Sequence, residues 1–255
     1  MTIQTKRGAG LLLVIVMCGA TPAIAQSKVG SRSSCGDAPS SSELFTGTLR
    51  GFRQLPSSSS LGIVALGGIA AVGAHAIDRD VTRSFSGSRP LDGTFKSGAV
   101  VGGAPFQLGA AFATYAIGRA LNKPCAASFG ADLIQAQLMA QGMTMALKQS
   151  TKRSRPDGSG FSFPSGHTTM AFASATVIER HFGWKAGIPA YAVATYVAAS
   201  RVQMKRHYLS DVAFGAALGI AAGRTVSVGH GRRLMLTPMA TPGGAGAGFT
   251  WIGKK

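Results

Sequence analysis

The sequence predicts an all-α protein, a bundle of about five to six helices with a small β-hairpin at its C-terminal end. Three observations predict it. Apolar stretches of helical length recur along the chain. Their Ala, Leu and Met content favours helix over strand. Only the tail differs, because Leu234 to Pro238 and Gly248 to Ile252 flank a Gly-rich turn. In order, Leu61 to Ile77 is the first apolar stretch and is rich in Gly and Ala. A charged turn, Asp78-Arg79-Asp80, and a loop with Gly87, Pro90 and Gly93 follow it. Ser97 to Leu121 is the second stretch, with Pro105 as its kink or start, and Asn122-Lys123-Pro124 ends it. Residues 131–147, Thr168 to Phe182, Ala186 to Met204 and Asp211 to Val226 complete the helices. The division expected is a signal segment over 1–25, a Ser-rich and poorly ordered lead-in over 26–60, a helical domain over 61–228 and a Gly-rich tail over 229–255.

The charge is lopsided. Among 255 residues, 26 Lys and Arg stand against nine Asp and Glu, for a net +17 with neutral His. Nine scattered acids argue against a glycosidase, which needs facing carboxylates, and against a two-metal hydrolase, which needs carboxylate cages. A hydrophobic content of 45% with 14% charged residues argues against intrinsic disorder. The surplus of base implies an anionic partner: phosphate, nucleic acid or an acidic membrane surface.

Lys6 and Arg7, the apolar run from Leu11, and Ala23-Ile24-Ala25 read as a secretory signal cut before Gln26. The expected location is exported, periplasmic or facing the exterior, and export argues against nucleic acid as the partner. Cleavage removes two bases, leaving +15. It also removes Cys18, so Cys35 and Cys125 become candidates for one disulfide, the alternative being two free thiols. Leu61–Ile77 has 17 residues. That is roughly 26 Å of helix against a hydrocarbon core of about 30 Å. A membrane-integral chain and a soluble or surface-bound one both fit such lengths. If all three apolar stretches before Lys148 crossed, the segment from Lys148 to His167 would face the cytoplasm.

Three short segments carry chemistry. Lys148 is followed after six residues by Arg155-Pro156; Pro164-Ser165-Gly166-His167 comes next; Ser200-Arg201 is followed by His207 and then Asp211. His207 and Asp211 are four apart, on one helix face, so the carboxylate can fix the tautomer of the ring and leave one nitrogen as a nucleophile. The bland alternative is an ordinary helix-face contact. Ser165 or Thr168 can cap the helix that starts there. Gly166 lets an anion approach the backbone, the free N–H groups favour phosphate, and His167 can donate a proton to a leaving oxygen. Alternatively this is a plain turn. Lys148, Arg155 and Arg201 supply charge for phosphoryl oxygens. By itself the run from Lys148 to Arg155, with Lys152 and Arg153 inside it, reads equally as a solvated loop. His75, His181 and His230 match no motif.

Together, K-x6-RP, PSGH and SR-x5-H-x3-D resemble the type 2 phosphatidic acid phosphatase (PAP2)/vanadium haloperoxidase superfamily over about residues 61–228. The resemblance implies a PAP2-type helical bundle with the site between helices. It implies that His207 attacks phosphorus, that Asp211 orients it, and that His167 protonates the leaving group. Lys148, Arg155, Ser165, Gly166 and Arg201 would bind the phosphate. No metal or other cofactor is implied. One departure is Gln203-Met204-Lys205, where a Tyr-Leu-Gly-like stretch is more usual; it bears on the rim of the pocket. The expected function is a metal-independent phosphatase acting on a phosphomonoester or diphosphate of a lipid, at an anionic membrane surface. The alternatives are a secreted non-specific acid phosphatase, a vanadium-dependent haloperoxidase and a non-catalytic cationic membrane binder. Nothing in the sequence sets the oligomeric state.

Overall fold

The structure, a computed structural model, describes residues 38–86, 89–227, 233–241 and 244–252. The signal segment, the first part of the Ser-rich lead-in, Cys35 and His230 lie outside the described residues. Cys125 is disulfide-bonded.

Nine helices and one two-stranded sheet are present among the described residues. The excess over five or six has local causes. Helix α1 (Ser41–Gln54) lies in the Ser-rich stretch read as poorly ordered. Ser40 caps it, and Glu43 returns the bond through the Ser40 N–H at 2.6 Å, a reciprocal capping box. Its Leu44 then packs on the core, and Gly51 sits where a Cβ would lie 2.4 Å from Met139 Sδ. Helix α2 (Ser58–His75) follows the expected apolar stretch. The charged turn after it instead opens helix α3 (Asp78–Phe85), whose N-terminus carries both acids where the helix dipole favours them. The second apolar stretch is two helices, α4 (Arg89–Val101) and α5 (Ala104–Ala120), bent by 52° at Gly102-Gly103. Pro105 sits in the first turn of α5, where its missing N–H costs nothing.

Helix α6 (Pro124–Thr151) is the long central element. A loop leads to α7 (Gly166–Phe182), Gly183 separates it from α8 (Trp184–Gln203), and a second loop leads to α9 (Leu209–Val226). The core gathers Ile134, Met139 and Ala140 of α6, Ala173 and Val177 of α7, and Ala222 of α9. Small residues let α7 and α9 approach closely. At Gly219 a Cβ would stand 2.2 Å from the Thr169 carbonyl oxygen. Strands β1 (Arg233–Thr241) and β2 (Gly244–Ile252) pair antiparallel, Arg233 opposite Ile252, and extend the expected hairpin.

Helices α2 and α9 are long and apolar enough to cross a membrane, and the bent α4–α5 pair makes a third if it counts as one span. Leu66, Ile69 and Val72 of α2 are exposed.

Gly219→Ala should lower the melting temperature, by about 1–3 kcal/mol of stability, through overpacking of the α7–α9 contact. Gly68→Ala, where a Cβ would meet nothing within 4 Å, should not. Equal melting temperatures for both variants would contradict the packing described.

Candidate active site

The site is built where the C-terminal ends of α6 and α8 meet the N-terminal ends of α7 and α9. Asp211, in the first turn of α9, has no exposed side-chain surface. Three donors answer it. Arg153 Nη1 donates to Oδ1 at 2.6 Å. Oδ2 accepts from the Tyr208 N–H at 2.8 Å and from Ser162 Oγ. The Asp211 carbonyl accepts from the Ser165 N–H at 3.1 Å, which ties α9 to the start of α7.

His207 lies just before α9 and is 3% exposed. Its Nδ1 is 3.7 Å from Asp211 Oδ2, an ion-pair distance rather than a hydrogen bond, and Nδ1 has no hydrogen-bond partner. The expected His–Asp hydrogen bond is therefore open, because Ser162 and Tyr208 already occupy the Oδ2 that faces the ring. Burial pushes the His207 pKa below the ordinary histidine range; Asp211 opposes this, while Lys148 and Arg155 add to it. The ring is therefore neutral at neutral pH and keeps one nitrogen lone pair.

The expected cations surround this ring. Lys148 donates to the carbonyls of Phe161 and Ser162. Burial first, then Arg155, draws its pKa down to about 8, against the pull of Asp211. Arg201 is 4% exposed, and burial, then Arg206 and Arg155, lower its pKa to about 10. The Nε atoms of Arg155 and Arg201 are buried without hydrogen-bond partners. Buried orphan donors of this kind are rare and call for a ligand, water or strain.

Ser165 takes the N-cap position of α7, but its side chain does not cap the helix. It accepts from Thr168 Oγ1 at 3.0 Å instead. The first N–H groups of α7 are thus free of a side-chain acceptor, as an anion site requires. His167 follows Gly166 in this first turn. Burial, then Arg201 and His207, lower its pKa to about 4. All the expected site residues except the cysteine pair thus come together.

Several residues of this site had no motif to announce them. Arg153, which read as part of a solvated run, bridges two buried carboxylates: its Nη2 donates to Asp78 Oδ2 at 2.8 Å. Asp78 also accepts from the Ser210 N–H at 2.9 Å and Ser210 Oγ at 2.6 Å, and His75 Nδ1 stands 3.1 Å away. The Arg153 guanidinium lies 4.4 Å from the Tyr208 ring centroid. Asp78 is separated from Arg153 by 75 residues, so no local spacing could reveal the pair.

Among the described residues, no group of three or more His, Cys, Asp or Glu could hold a metal ion. This helical body with two histidines, one carboxylate and a ring of cations defines the class. Residues 129–234 match the model of the PAP2 superfamily. It is 44% identical over 86 residues to the lipid A 1-phosphatase of Porphyromonas gingivalis, covering 32% of this chain and 19% of that protein. It is 37% identical over 106 residues to the decaprenylphosphoryl-5-phosphoribose phosphatase of Mycobacterium tuberculosis, covering 37% of this chain and 58% of that protein. The chain thus spans less than two thirds of the length of either relative. The crystal structure of Aquifex aeolicus LpxE superposes with a TM-score of 0.51 at 23% identity, over 60% of this chain and 96% of that one.

Two outcomes are expected. Arg153→Met strands two buried carboxylates and should cost about 3 kcal/mol of stability. Adding Asp78→Asn should recover part of that loss; strictly additive melting shifts would refute the bridge. The second outcome concerns protons. At pH 6 free His167, with its pKa at about 4, is unprotonated. A bound anion raises that pKa, so sulfate binding should take up as much as about one proton, read by calorimetry in two buffers. His167→Asn should abolish the uptake, and uptake that persists would place the proton elsewhere.

Proposed function

We propose that the protein is a metal-independent phosphatase that hydrolyses a phosphomonoester or diphosphate of a lipid through a phosphohistidine. The observation that carries this reading is the set of unpartnered buried donors, Arg155 Nε and Arg201 Nε, beside the neutral, buried His207 and the uncapped start of α7. A phosphate satisfies them all. Its oxygens take Lys148, Arg155, Arg201, Ser165 and the Gly166 N–H. The His207 lone pair forms the N–P bond as the P–O bond to the leaving group breaks. His167 gives its proton to the leaving oxygen. Asp211 stabilises the positive charge that the His207 ring acquires. Water then attacks phosphorus, His167 takes a proton from it, and the N–P bond breaks to release phosphate and restore the ring.

Two features support a lipid substrate. An apolar cavity of about 320 Å³ between α2 and α9, lined by Gly68, Ala71, Val72, Phe163 and Phe214, adjoins His75, Arg153 and Ser210. It offers a place for an acyl or prenyl chain beside the site. The exposed apolar face of α2 supports association with a membrane. The relatives named above include one whose name specifies lipid A. The signal over 1–25 is read as directing the helical domain to the exterior side of the membrane, with a Gly-rich tail beyond residue 228.

A panel of lipid and soluble phosphates, assayed with wild type and His207→Ala, tests the reading. The variant should lose turnover by at least about 10³-fold with its circular dichroism unchanged. Full activity in the variant, or no hydrolysis of any phosphoester by the wild type, would overturn it. Vanadate should inhibit without supporting bromide oxidation. Lys148 is charged below a pKa of about 8, so KM should rise as pH increases through that value. Gly68→Leu should raise KM several-fold for a lipid phosphate and leave a soluble phosphoester unaffected. A shift shared by both would remove the tail site from the account.

A further inference from the structure

A second cavity of about 340 Å³ lies on another side of the site, between α3 and the loop that joins α8 to α9. Arg79 and Arg83 of α3, Lys205, Pro156 and Tyr208 line it. Pro156 directly follows Arg155, and Tyr208 directly follows His207, so the groove leads away from the phosphate site itself. Its charge is positive and largely unanswered. Among the described residues, Arg83 faces Asp80 at 3.8 Å, with both side chains more than three-quarters exposed. Water screens such a pair heavily. Neither Arg79 nor Lys205 has an ion-pair partner among the described residues.

Lys205 supplies an independent observation. Its φ is +55°, in the left-handed region that suits glycine. A side chain there costs about 1 kcal/mol or more. Strain of this kind clusters where function holds it in place. Here the strained residue carries an ammonium on the wall of a groove that two arginines also line. Glycine would relieve the strain, which the melting temperature reads, and remove the charge, which ligand affinity reads. The groove also draws on α3, which lies outside the matched segment 129–234.

We propose that this groove binds a second phosphate of the substrate, one that is not cleaved, and so selects lipid phosphates carrying two phosphate groups. The inference rests on the phosphatase reading for its substrate, though not for its test. The scissile phosphate sits at His207, the chain lies in the apolar cavity by α2, and the second phosphate reaches Arg79, Arg83 and Lys205. Each part of such a molecule meets the chemistry it needs. A substrate with one phosphate leaves Arg79 and Lys205 without a counter-charge and Arg83 with only its exposed pair to Asp80.

The test is binding to the full chain carrying His207→Ala, in neutral detergent, followed by calorimetry. Inorganic pyrophosphate and hexane-1,6-diyl bisphosphate are compared with inorganic phosphate and hexyl phosphate. At least one bisphosphate should bind about tenfold or more tightly than its single-phosphate counterpart. Lys205→Gly, and separately Arg79→Gln with Arg83→Gln, should erase that advantage and leave the single-phosphate affinity unchanged. Lys205→Gly should also raise the melting temperature or leave it as it was. The proposal falls if neither bisphosphate gains, if the gain survives the substitutions, or if both ligand classes weaken equally. It also falls if Lys205→Gly alters only adsorption to phosphatidylglycerol vesicles, which would make the groove a contact for neighbouring lipid. A wild type that turns over nothing, yet keeps the groove-dependent bisphosphate preference, would refute the catalytic reading and retain the groove.

Discussion

A carboxylate with no exposed surface must be answered inside the protein, and Asp211 is the charge around which this molecule is arranged. Its partners come from two loops of the chain. Arg153 and Ser162 reach it from the loop between α6 and α7, and the Tyr208 N–H from the loop before α9. Arg153 is shared with a second buried carboxylate, Asp78, at the start of α3. The need to neutralise Asp211 thus fixes the path of the α6–α7 loop. It also draws α3, outside the motifs, against the site. Lys148 and Arg155 stand at the two ends of the segment that Arg153 anchors. Their placement follows from the same bond.

The arrangement leaves His207 deliberately underbonded. With Ser162 and the Tyr208 N–H on the facing oxygen, Nδ1 remains at 3.7 Å and without a partner. Around it, cations depress one another: Arg155 contributes to the lowered pKa values of Lys148, His167, Arg201 and His207. Crowding of this kind favours an anion among these groups, whose negative charge would raise every one of the depressed pKa values at once. In the proposed reaction the same field would keep His207 neutral for attack and favour a proton on His167 beside the leaving oxygen.

Residues whose roles depend on short spacing were legible in the sequence. Gly166 and His167 open α7 and Lys148 lies in the last turn of α6, while Asp211 sits in the first turn of α9 with His207 just before that helix rather than on the expected shared face. The six long helices were legible for the same reason, since each is a local apolar pattern. The remainder depended on contacts distant in sequence or on cues hidden by composition. Ser40 and Glu43 form a capping box inside a stretch whose serines suggested disorder. The α4–α5 bend at Gly102-Gly103 falls where a Gly102 Cβ would lie 2.4 Å from Val197 Cγ1 and 3.2 Å from His167 Cβ. Neighbouring helices impose it, and no window of sequence contains them. The Arg153–Asp78 pair is the same case for charge.

The close packing of α7 on α9 completes the argument. At Gly215 a Cβ would stand 2.9 Å from the Ser165 carbonyl oxygen, and at Gly219 one would stand 2.2 Å from that of Thr169. These absent side chains let the start of α7 come down onto the first turns of α9. There the Ser165 N–H reaches the Asp211 carbonyl at 3.1 Å. That backbone bond ties the uncapped N-terminal end of α7 to the His207–Asp211 pair at the start of α9. The glycines of α9 are thus a condition of this approach. A larger residue at either position would push the start of α7 away from the His207–Asp211 pair, and in the proposed reaction that would part the phosphate from its nucleophile while leaving every side chain of the pair in place.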